Sequence, residues 1–101
     1  MSDLKSLSYE VFEPCVDQAF EVLDDADSPV AMTLLAVEKR GQYDPDFADR
    51  QAFSLIFRGP AEPVLVQSTR PVRNDGLGTL DIFLVPIGPD KKGMRYEAVF
   101  T

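Results

Sequence analysis

In the stretch FSLIFRGP, residues 53–60, large apolar side chains stand at every second position until an arginine, a glycine and a proline interrupt them. An extended chain turns successive side chains to opposite faces, so Phe53, Leu55 and Phe57 share one face and Ser54, Ile56 and Arg58 the other. The same period returns in LGTLDIFLVPIG, residues 77–88, with Leu80, Ile82 and Leu84 on one side and Phe83, Val85 and Ile87 on the other. Apolar residues on both sides predict that at least the second half of this strand is covered twice. In MRYEAVFT, residues 94–101, Met94, Tyr96, Ala98 and Phe100 are expected inward and Arg95 and Glu97 outward. GPDKKG, residues 88–93, then reads as the hairpin loop between the last two strands.

Ser8, YEVFE and Pro14 predict a short N-terminal helix, capped by the Ser8 hydroxyl, ended by the proline and anchored through Leu7 and Phe12. AFEVLD alternates Phe20 and Leu23 less cleanly and runs into turn formers at Asp24, Asp25, Asp27, Ser28 and Pro29, as at a strand end. VAMTLLAVEKRG, residues 30–41, reads two ways. Pro29, Lys39, Arg40 and Gly41 sit where a helix wants them, yet the run from Val30 to Val37 is apolar on all sides, which a buried strand explains equally. Residues 39–50 read as a long polar loop and PAEPVLVQ, residues 60–67, as an extended connector. QSTRPVR, residues 67–73, reads as an edge strand that tolerates Pro71, followed by a tight turn at Asn74, Asp75 and Gly76, residues that accept positive φ. The sum is a mainly β chain: a small antiparallel barrel or sandwich of about six strands with one short N-terminal helix, a single β-domain over residues 1–101. Its last residues lie inside a strand, which predicts an ordered end.

Composition excludes several classes of function. Ten Lys and Arg against seventeen Asp and Glu leave a net charge of −7, a field that repels phosphate backbones, so no nucleic-acid partner is expected. The single cysteine, Cys15, forms no intrachain disulfide, and MSDLKSLSYE has no signal-like apolar run. No window approaches a membrane span, and a cytoplasmic protein is expected. Histidine is absent, which removes the commonest general base and the imidazole metal ligands.

FSLIFRGP, GLGTLDIFLVPIGP and the closing MRYEAVF together resemble a family of small bacterial domains of unknown function, often encoded beside phage-tail-collar-type proteins. FEPCVDQAFEV, residues 12–22, is similar to that family's opening helix, turn and strand. The resemblance implies a strand rather than a helix at MTLLAVE. It implies no reaction or ligand. Two departures stand out: Asp17 occupies the place of a turn glycine, and Ser68 replaces another glycine before STRPVR. Asp enters the left-handed region at modest cost, so the first departure is compatible with the turn.

Candidate chemistry is sparse. Arg58, at a strand end, has the fork geometry to clamp a carboxylate or phosphate; its plainer role is an ion pair with one of the seventeen acids. The acids of DPDFAD, Asp44, Asp46 and Asp49, lack the glycine and the terminal glutamate of a calcium loop, and DDAD at residues 24–27 reads as solvated turn; no metal or other cofactor is expected. Asp81 and Glu97 form an acid pair only if their strands bring them together. Cys15 has no flanking cation and reads as a packing residue. Lys91, Lys92 and Arg95, with Arg70 and Arg73, make a basic spot only if two hairpins adjoin. No catalytic residue is assigned. The expected function is a noncatalytic structural or protein-interaction module with a protein partner, and with self-association through an open sheet edge at QSTRPVR or at the last strand; the resemblance adds an accessory role in a phage-tail-like or surface assembly. The alternative is a small-ligand-binding barrel or enzyme with its site near Arg58 and Tyr96.

Overall fold

The computed structural model describes residues 7–23, 29–41, 46 and 51–100. A one-turn helix α1 (Tyr9–Phe12) and a 3-10 turn (Glu13–Cys15) precede six strands: β1 (Ala19–Val22), β2 (Val30–Lys39), β3 (Phe53–Gly59), β4 (Ser68–Asn74), β5 (Gly78–Asp90) and β6 (Gly93–Phe100). Every neighbouring pair is antiparallel, and the order β1-β2-β3-β6-β5-β4 closes on itself where β1 pairs with β4. Of the two architectures that strand spacing leaves open, the chain adopts the closed barrel.

Alternation predicts the lining correctly. Phe53, Leu55 and Phe57 of β3, Leu80, Ile82 and Leu84 of β5, and Tyr96, Ala98 and Phe100 of β6 are buried in one cluster with Phe20, Val22, Met32, Leu34 and Val72. Each large side chain removed from water contributes about 1.5–3 kcal/mol, which makes this lining the main source of stability. The outer side of β5 differs from expectation: Phe83 and Ile87 are exposed, because among the described residues no second layer packs over the barrel wall there.

The two-way segment is strand β2, paired with β1 from Val30 to Thr33 and with β3 from Thr33 to Lys39. Its pattern misleads because it contains a bulge. Leu34 faces Phe57 and Ala36 faces Ile56, so Leu35 has no partner across the ladder. Met32 and Leu34 point inward before the bulge and Val37 packs on the core after it, a spacing that breaks strict alternation.

Both strands expected at an edge are paired on two sides: β4 by β1 and β5, and β6 by β3 and β5. Pro71 is tolerated for a different reason than an open edge. Its carbonyl accepts the Leu23 amide at 2.8 Å, so its missing N–H faces the point where β1 ends and costs only the last rung. The following turn needs no positive φ at Asn74, Asp75 or Gly76. Asn74 is buried, its Oδ1 accepts the amides of Gly76 and Leu77, its Nδ2 donates to the carbonyl of Ala19, and the positive φ falls on Gly78. The loop expected over GPDKKG is also shorter, since β5 and β6 pair up to Asp90 and Gly93 and leave a two-residue turn.

The two ends of the barrel are stoppered by local segments. At one end Phe53 and Phe100, partners across β3 and β6, stack with centroids 4.8 Å apart, and Phe12 from α1 tilts onto both at 5.8 and 5.6 Å. The Lys39 ammonium lies 4.4 Å from the Tyr9 ring centre and ties α1 to β2. Ser8 makes no side-chain cap, and Pro14 does not stop the chain's helical path: it stands at the start of the 3-10 turn, where its absent N–H is not needed. Burial of Leu7 and Phe12, as expected, anchors the segment. Asp17 takes φ of 73°, the left-handed turn that its position demands, and its amide donates to Leu34 at 2.8 Å. At the opposite end, residues 60–67 form no strand; Leu65 packs on the core and donates its amide to the Tyr96 hydroxyl at 2.9 Å.

Candidate functional site

Arg58 leaves β3 on the outer face, directly opposite Arg95 of β6. Two like charges in one rung repel. The β5–β6 turn supplies the relief: one oxygen of Asp90, Oδ2, accepts Arg58 Nε at 2.7 Å and pairs with Nη2 at 2.5 Å. The other oxygen, Oδ1, accepts the amides of Lys92 and Gly93 at 2.8 and 3.0 Å and so shapes the turn. The Arg58 bond, ahead of the turn amides, holds the Asp90 carboxyl down at about 2. Arg58 is therefore the ion-paired strand end that its sequence position allowed.

Tyr96 occupies the neighbouring rung, opposite Phe57, but on the inner face, where it is buried and its hydroxyl holds Leu65. The barrel wall separates it from Arg58. The two side chains chosen from sequence are close along the strands and point in opposite directions. The mouth that a ligand near Tyr96 would enter is crossed by the connector carrying Leu65.

The other candidates disperse. Asp81 lies opposite Pro71 and Glu97 opposite Val85, so the acids are four positions apart along β5, and Glu97 pairs with Arg40 instead. The two hairpin turns stand at opposite ends of the long β5. Arg73 pairs with Glu21 and Arg70 donates to the Val66 carbonyl, well away from the Lys91–Lys92 turn. Cys15 is buried, and that burial raises its thiol pKa, as suits a packing residue. Asp46 is exposed; Asp44, Asp49 and residues 24–27 lie outside the described residues. Among the described residues, no group of three His, Cys, Asp or Glu side chains gathers to hold a metal, and no helix is long and apolar enough to cross a membrane.

Two surface features remain. The first is an open cleft of about 530 Å³ beside Arg58, lined by Pro29, Val30, Ala31, Gly59, Pro60, Pro63 and Lys92. Its charged members Arg58 and Lys92 were both named from sequence, but in separate groups; they and the three prolines come from different segments, and only closure of the barrel brings them together. The second is on the outer wall, where Phe83 of β5 and Val99 of β6 are 49% and 45% exposed. Both stand on the outer wall two residues beyond the last paired β5–β6 rung, Val85 with Glu97.

The class so defined is a closed six-stranded antiparallel barrel, plugged by a helix at one end and by an extended connector at the other. A family model described as "Domain of unknown function (DUF6916)" matches residues 7–100, and the chain belongs to that family. No curated protein and no solved structure matches it.

Proposed function

We propose that this chain is a noncatalytic structural module that binds another protein through its outer wall. The observation that supports this reading is the pair Phe83 and Val99, large apolar side chains about half exposed on adjacent strands, continued toward the turn by Ile87 at 39%. Exposed apolar side chains gathered on one face mark contact surfaces more often than isolated ones do. Self-association through a sheet edge has lost its premise, because the strands offered as edges are paired. The narrower reading is an accessory of a phage-tail-like or surface assembly in a bacterial cytoplasm. It rests on the company that similar genes keep and, for the cytoplasm, on a single cysteine that needs no oxidising compartment.

The test is affinity capture with the wild-type chain and with a Phe83→Ser/Val99→Ser variant of unchanged melting temperature. A stoichiometric partner retained by the first and lost by the second supports the reading. Equal capture by both, or none by either, defeats it.

A further inference from the structure

The geometry points to a second binding site, the cleft beside Arg58, as a seat for the C-terminal carboxylate of a peptide whose last residues are aliphatic or proline. This inference does not depend on the outer-wall reading. The volume, about 530 Å³, lies within the roughly 300–1,000 Å³ usual for ligand sites.

Charge selects an anion. Asp90 occupies Nε and Nη2 of Arg58 through one oxygen and leaves Nη1 available, while the Lys92 ammonium makes no ion pair among the described residues. Arg95 faces Arg58 from the next strand. Arg58 and Lys92 line the cleft, with no acid in its lining among the described residues, which makes a positive spot on a chain whose net charge is −7. Asp90 also presets Arg58, so less side-chain freedom is lost when an anion arrives.

The walls select what the anion is attached to. Pro29, Pro60 and Pro63 have no N–H and the Lys92 amide is taken by Asp90, so these parts of the lining offer no backbone amide for a phosphate, and recognition of charge rests mainly on the two side chains. Val30, Ala31 and the proline rings supply apolar wall for an aliphatic body. A bare inorganic anion leaves those walls unfilled. The cleft is open on one side, which suits a chain end that continues into solvent better than a small acid that must be enclosed.

The test is an amide-resolved NMR titration of the full chain with acetyl-Ala-Pro-Val as free acid, the same peptide as C-terminal amide, N-acetylvaline, and inorganic phosphate. The free acid is expected to shift Ala31, Gly59 and Lys92 saturably, and the amide to bind roughly tenfold more weakly, the usual worth of a hydrogen bond to a charged group. Lys92→Glu should lose binding and Lys92→Arg keep it; both lie on an exposed turn. Ala31→Trp, which fills the cleft but leaves the charges, should lose it too. The Phe83→Ser/Val99→Ser chain should bind as the wild type does, which separates this site from the outer wall. Equal shifts by acid and amide, shifts elsewhere, or no shift overturn the proposal. N-acetylvaline or phosphate binding as tightly as the peptide overturns the peptide as occupant.

Discussion

Asp90 joins Arg58 through one carboxylate oxygen and the amides of its own turn through the other, so a single side chain fastens the β5–β6 hairpin to the end of β3. This contact makes the carboxyl more acidic than an ordinary one. The folded carboxyl titrates at about 2 instead of 3.8, so the link is intact above the ordinary value and is lost as pH falls through about 2. Melting temperature measured from neutral pH down to about 2 should fall less steeply for Asp90→Asn than for the wild type. Parallel curves would remove Asp90 from the acid response.

Gly93 must be glycine on steric grounds alone. A Cβ there would stand 2.1 Å from the Gly59 carbonyl oxygen, backbone that cannot swing aside. Gly93→Ala should cost roughly 1–3 kcal/mol or more in chemical denaturation. At Gly59 an added Cβ meets Met32 Cγ at 3.3 Å, a flexible side chain, so Gly59→Ala should cost clearly less.

Phe12 is fully buried against Phe53 and Phe100, although the helix carrying it is a single turn. Phe12→Ala should destabilise the chain by about 3–5 kcal/mol, as large-to-small changes in aromatic cores do. Hydrogen exchange should show α1 opening together with the Phe100 end of β6. A loss confined to α1 would mean that the helix is a dispensable attachment.

Tyr96→Phe keeps the buried ring and removes the oxygen that accepts the Leu65 amide. The expected cost is about 1 kcal/mol, with faster exchange at Leu65 and little change at Phe57 across the rung. Unchanged protection at Leu65 would show that the connector is held by packing instead.

Strand identity was readable because side chains of one strand report their own alternation: 53, 55 and 57 or 80, 82 and 84 need no partner to declare a face. Residues 30–39 were not, since a bulge at Leu35 shifts the inward phase halfway along, and that shift is visible only against β3. The resemblance to a known family, and not periodicity, favoured strand there. Asp90 was passed over for a related reason. The spacing of Asp90 to Gly93 was open to reading as a side-chain-held turn, but Arg58 lies 32 residues away, and nothing local announces that bond. The exposed face of β5 was misread because apolar Phe83 and Ile87 look the same in sequence whether a second layer covers them or not.

By itself the sequence determined that most segments outside residues 30–39 extend, which side chains of β3, β5 and β6 line the interior, and that the overall field is acidic, all properties of residues within a few positions of one another or of the chain as a whole. Closure of the sheet through β1 and β4, the opposite facing of Arg58 and Tyr96, and the gathering of Pro29, Pro60, Pro63 and Lys92 around one cleft were decided only by the tertiary structure. Those depend on register between strands far apart in the chain, and register is set by through-space packing, where moving one rung exchanges inside for outside.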